Sequence, residues 1–114
     1  MHALDTARQL AKDIKNTEEY LEYQACRERI AEEPGIMALV NEYKKLQMTV
    51  QMGAATGHPA PAEENDRFRQ ITTLLFSDDR TRDYLMAEMR LQQMMVEIFT
   101  MLTEATGIDL GLPT

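Results

Sequence analysis

Few side chains in this sequence could do chemistry, and their spacing argues against most of the chemistry open to them. Cys26 has Arg27 and Arg29 beside it, cations that would lower a thiol pKa and favour the nucleophilic thiolate. The same cysteine lies at helical spacing from Tyr23 and Ile30, which reads as a buried structural thiol. His2 is near the N-terminus and His58 sits between Gly57 and Pro59, so both read as solvated residues rather than ligands or bases. Helical bundles hold paired metals through Glu-x-x-His repeats on facing helices, and neither histidine follows a glutamate at that spacing. A glycine-rich phosphate loop is also missing. The expectation is therefore no catalytic residue, no cofactor, no metal and no enzyme.

The polar residues that stand out lie on apolar helix faces. Glu88 and Gln92 are one turn apart, as are Gln47 and Gln51. Each pair is either solvated at the rim of its face or meets a partner across a helix interface and sets its register, as single polar residues do in coiled coils. Gln47 falls in the middle of its apolar arc. A buried amide without a partner costs roughly 1–3 kcal/mol, so Gln47 is either satisfied or not fully buried.

The elements that position these residues are helical throughout. In the C-terminal third, Tyr84, Ala87, Leu91, Met94, Ile98, Met101 and Ala105 recur at steps of three and four, the seam of helices packed side by side. Met95, Phe99 and Leu102 widen the apolar arc to roughly 160°, past the ~100° that one core requires. This last helix starts at Ser77 or at Thr81 and ends near Gly107. About 27 residues of helix span roughly 40 Å, against a diameter of about 34 Å for a compact globule of this length. Both width and length predict a second chain beside it.

Upstream, Leu4, Ala7, Leu10, Ala11 and Ile14 mark a first amphipathic helix. Thr17 caps a second, with Glu18 and Glu19 in its first turn and Tyr20, Tyr23, Cys26 and Ile30 on its inner face. Pro34 makes a corner over Glu32 to Gly35. A third helix runs from about Ile36 to Ala55, with Ile36, Leu39, Val40, Tyr43, Leu46, Val50 and Ala54 on one face. Gly53 to Pro61 reads as a loop, its Gly53-x-x-x-Gly57 spacing marking a helix C-cap rather than a helix-dimer motif. Pro61, Glu63 and Glu64 open a fourth helix with Phe68, Ile71, Leu74 and Leu75 facing inward. The expected fold is all-α, an antiparallel bundle of about five helices in one domain over residues 1–114, completed by dimerisation.

Composition narrows the partners. Nineteen acids against twelve bases leave a net charge of −7, which repels nucleic-acid backbones and anionic lipids, so direct nucleic-acid binding is disfavoured even though Arg80, Arg82 and Arg90 could form a local patch. No run approaches the ~20 apolar residues of a membrane span, Met1 to Leu10 has no leader-like pattern, and the lone cysteine suits a reducing compartment; the expected location is cytoplasmic. Five of nine methionines, Met86, Met89, Met94, Met95 and Met101, lie in the last helix, where they fill a core or form an adaptable binding face. The candidate interaction residues are Tyr43, Gln47 and Gln51 on the third helix, and Tyr84, Glu88, Leu91, Gln92, Met94, Met95 and Ile98 on the last.

With these residues located, the chain resembles the YlbF/YmcA family of small all-helical bacterial regulators. The likeness rests on collinear features: Glu19-Tyr20-Leu21-Glu22-Tyr23, the Pro34 corner, Glu42-Tyr43 followed by Gln47 and Gln51, Tyr84-Leu85 with Ala87-Glu88, and the ending Thr106-Gly107-Ile108-Asp109. It implies a cytoplasmic adaptor that self-associates and joins partner proteins, in one branch influencing competence, sporulation and biofilm programmes through messenger-RNA processing. That branch is also associated with iron–sulfur clusters. A single cysteine departs from a four-thiolate site, so no cofactor is carried over. The alternatives are a structural or chaperone-like helical dimer and, less favoured, a direct RNA binder.

Overall fold

The computed structural model describes residues 2–109, and over them the chain is all-α, with no strand. Five helices follow in order: α1 (His2–Ile14), α2 (Glu18–Ala31), α3 (Pro34–Thr56), α4 (Ala62–Ser77) and α5 (Asp79–Thr106). They divide into two compact units. Arg27–Asp83 forms one; the residues up to Cys26 together with those from Tyr84 onward form the other.

The Arg27–Asp83 unit is built on a hairpin of α3 against α4. Pro34 sits in the first turn of α3, where its missing N–H has no intrahelical partner to lose. The helix therefore begins at the corner itself, not two residues later at Ile36. Tyr43 stacks on Phe68 with ring centroids 5.4 Å apart. Beside that pair, Arg67 donates through Nε and Nη2 to the two oxygens of Glu42, both at 2.9 Å. This bidentate bond, first, and the guanidinium charge, second, hold the Glu42 carboxyl below its ordinary range. Adjacent residues of α3 thus meet adjacent residues of α4, which sets the register of the hairpin. Ile30 at the end of α2, Val40, Ile71 and Leu75 are the buried apolar residues of this unit.

Two expectations are corrected in this unit. Leu74 does not face inward; it is 55 % exposed while Leu75 is buried. Ile71 and Leu75 define the covered stripe of α4, and Leu74 lies about 100° around the helix from Leu75. The loop does not begin at Gly53. The helix continues to Thr56, and Gly57, with φ of 74°, is the left-handed residue that ends it, its N–H bonding Gly53 O. Gly53 is needed for a different reason: a Cβ there would lie 2.7 Å from His58 O and 3.0 Å from Ala60 N. Its bare backbone lets residues 58–60 fold across α3 before α4 begins.

The α4–α5 joint resolves the start of the last helix in favour of neither residue expected. Asp78 alone separates the helices, in extended conformation. Its Oδ1 accepts the Arg80 backbone N–H at 2.8 Å and its carbonyl accepts the N–H of Arg82 at 2.9 Å, so Asp78 is the N-cap. Ser77 instead closes α4, its hydroxyl donating to Thr73 O. Thr81 is buried in the first turn of α5 and donates to the carbonyls of Leu75 and Asp78. Arg80 completes the joint by bonding both Asp78 oxygens and Glu33 Oε1 at the head of α3. These bonds from Arg80 hold the Asp78 carboxyl low and raise the guanidinium.

In the other unit, Thr17 caps α2 as expected, its Oγ1 accepting the Tyr20 N–H at 3.2 Å while donating to Ile14 O at 2.6 Å. The buried residues here are Cys26, Tyr84, Leu85 and Ala87. Along α1 no residue is buried. Gly107, at φ of 70°, ends α5, its N–H donating to Thr103 O.

Candidate functional site

The candidate interaction residues fall into both units, and each group has its own geometry. On α3, Tyr43 is half-buried against Phe68 and Gln47 is half-buried one turn on, so its amide keeps access to solvent; Gln51 is exposed.

On α5 the face changes character along its length. Its first turns are sealed: Tyr84 is only 2 % exposed, and its ring lies 5.6 Å from that of Tyr23 on α2. The Tyr84 hydroxyl donates to Glu88 Oε2 at 3.0 Å, one turn along the same helix. Glu88 is half-buried, and Gln92 points to solvent. Arg90 pairs with Glu22 across α2 and α5. Beyond this point the seam opens. Leu91, Met94, Met95 and Ile98 are half-buried, and Met101 reaches 67 % exposure. The same periodic stripe is thus core at one end and surface at the other. Glu19, Arg90, Gln93, Met94 and Glu97 line an open cleft of about 550 Å³ beside it.

Burial raises the Tyr84 pKa, reinforced by the hydrogen bond with Tyr23 and then by the Glu88 charge. A raised folded-state pKa contributes stability that is present below the unfolded value of about 10 and is lost as pH rises above it. Tyr84→Phe is accordingly expected to cost about 1 kcal/mol at neutral pH and to flatten the loss of thermal stability above pH ~10. Equal alkaline slopes in melting curves of both proteins would contradict this assignment.

Sequence reasoning did not anticipate the Tyr23–Tyr84 and Glu22–Arg90 pairings, although Tyr23 on the inner face of α2 was a signal for the first. The arginines that could have formed a cationic patch are engaged by acids. Arg80 pairs with Glu33 and Asp78, Arg82 with Asp79 and Asp83, and Arg90 with Glu22. Among the described residues, no group of three or more His, Cys, Asp and Glu side chains is arranged to hold a metal ion, and no helix is long and apolar enough to cross a membrane.

Comparison with known proteins places this architecture. The family described as "Control of competence regulator ComK, YlbF/YmcA" matches residues 3–106. A UPF0342 protein of Symbiobacterium thermophilum is 32% identical over 106 residues, covering 93% of this chain and 95% of the relative. Another UPF0342 protein, of Halothermothrix orenii, is 28% identical over 98% of this chain and 93% of its own length. Among solved structures, a protein of unknown function (DUF964) from Bacillus stearothermophilus aligns with a TM-score of 0.69 at 15% identity, over 93% of this chain and 91% of that one. A chain from the crystal structure of Bacillus subtilis RicA in complex with RicF aligns with a TM-score of 0.60 at 23% identity, over 93% and 94%. The structural likenesses carry the fold, and with a family match spanning nearly every described residue, the chain belongs to the YlbF/YmcA family.

Proposed function

We propose that this protein is a non-enzymatic cytoplasmic adaptor, acting as one functional domain through contacts with further copies of itself and with other proteins. The observation that carries this reading is the open half of α5, where Leu91, Met94, Met95 and Ile98 continue the apolar stripe without being buried. Methionine suits such a face because its unbranched side chain repacks against different partners at little cost. On α5, Glu88 and Gln92 supply polar groups along the same helix as the apolar ones, with Tyr84 anchoring its first turns; on α3, Gln47 and Gln51 follow Tyr43 as a separate polar group. The RicA–RicF complex supports association with a partner protein, and the family description supports a regulatory role, in competence-type programmes. Influence on messenger-RNA processing would then be exerted through a bound partner, since the arginines best placed to meet RNA are already paired with carboxylates.

The test is co-purification from the native cell. One defined protein is expected to accompany the tagged chain, and Ile98→Asp is expected to remove it while leaving helicity by circular dichroism unchanged, because Ile98 is not part of the buried core. Retention of the same partner by Ile98→Asp would locate the interaction elsewhere.

A further inference from the structure

We infer that α1, together with the C-terminal half of α5, is the surface on which a second copy of this chain docks; the inference rests on the self-association just proposed and names its surface. Helix α1 is the starting point. It has 13 residues, a length at which an isolated helix is marginal in water, so its stability has to come from packing an apolar face. Yet Leu4 is 53 % exposed, Ala7 and Ala11 are exposed, and Leu10 is only partly covered. A groove of about 580 Å³ lies between α1 and Leu102, lined by His2, Ala3, Thr6, Ala7 and Leu10 on the α1 side. Leu102 is itself 54 % exposed. Leu4, Leu10, Met101 and Leu102 together leave on the order of 400 Å² of apolar surface open, the size at which a patch marks an interaction site.

Charge selects a second copy as the occupant. Residues 2–15 carry three bases, Arg8, Lys12 and Lys15, against two acids, Asp5 and Asp13, for a net +1 in a chain of −7. After Arg90, residues 91–109 hold only acids: Glu97, Glu104 and Asp109. Glu97 and Glu104 fall beside the Met94–Ile98–Met101 stripe at heptad-flanking positions. Arg8 and Lys15 flank the Leu4–Ala7–Ala11–Ile14 stripe of α1 in the same way. The Arg8–Asp5 bond is fully at the surface and leaves Arg8 able to re-pair. In a two-fold arrangement each α1 would lie between its own α5 and the partner's, a basic apolar helix between two acidic apolar ones. The acidic C-terminal end of α5, unfavourable against its own helix dipole, would gain a cationic neighbour.

Sedimentation equilibrium of the full chain tests this. The wild-type protein is expected at about twice the 13.1 kDa of one chain at tens of micromolar. Leu10→Glu, which alters an exposed position and so spares the fold, is expected to weaken the dimer by about tenfold or more. Glu97→Lys with Glu104→Lys is expected to weaken it as well, and adding Arg8→Glu with Lys15→Glu to that variant is expected to restore it. A wild-type dimer indifferent to Leu10→Glu and to the charge reversals overturns the surface named here while leaving self-association standing. A chain that stays monomeric at these concentrations overturns both, and assigns the α1 face to a different protein.

Discussion

Gly53→Val is expected to destabilise the protein by about 3 kcal/mol, lowering the melting temperature by roughly 10–20 °C. Gly53 is buried within α3, and the atoms nearest to a Cβ there are backbone: His58 O at 2.7 Å, Ala60 N at 3.0 Å and the Pro59 carbonyl carbon at 3.4 Å. Side chains could rotate away from such a contact, but a loop tied at both ends cannot do so cheaply. His58 N–H bonds Gly53 O at 3.0 Å, and Asn65 Nδ2 bonds Ala60 O at 3.1 Å. Opening the loop to admit a side chain would strain or break these bonds and pull the start of α4 off α3. Replacing glycine in a helix gains only a fraction of about 1 kcal/mol in propensity, which does not offset the clash. Gly35→Ala is the control. It too lies in α3, but nothing stands within 4 Å of its Cβ position, so the change is expected to be neutral or slightly stabilising. A Gly53→Val protein that melts with the wild type would show that residues 58–60 can move at no cost.

The second large effect is expected at the α4–α5 joint. Thr81→Val keeps the shape of the side chain and removes its hydroxyl, which bonds the carbonyls of Leu75 and Asp78. The position is buried, so water does not readily replace the lost donor. A loss of about 2 kcal/mol is expected, the cost of leaving a buried acceptor unmet. Thr81→Ser keeps the donor and loses one methyl, worth about 0.8 kcal/mol. Chemical denaturation should therefore rank wild type, serine and valine in falling order. Serine as the worse of the two would mean that methyl packing, not the hydroxyl, holds the joint.

The sequence predicted much of this architecture because helix formation is local. The Thr17 cap, the Pro34 corner and the inner positions Cys26 and Ile30 on α2 could be read within a few residues of themselves, and the structure holds all of them. The start of α5 was harder to read. Ser77, Asp78 and Thr81 all have side chains that can cap a helix, and the choice among them was made by groups far along the chain or one turn back. Glu33 lies 47 residues from Arg80, which ties it to Asp78, while Thr73 and Leu75 take up the hydroxyls of Ser77 and Thr81. The C-cap expected from the Gly53/Gly57 spacing is present at Gly57, but the loop was expected to begin at Gly53, since only the path of residues 58–60 reveals the close approach that excludes a side chain there.

For the candidate site, the sequence by itself determined where apolar side chains lie around each helix, including the wide stripe of α5 and the amphipathic face of α1, because a 3.6-residue period is a property of the helix alone. Which parts of those stripes are covered was decided only by the tertiary structure. Leu74 and Leu75 are adjacent and identical, yet one is surface and the other core; Tyr84 and Met101 share a seam, yet one is sealed and the other open. Burial depends on what stands opposite a residue. That neighbour comes from another element, and its position is set by packing at long sequence range.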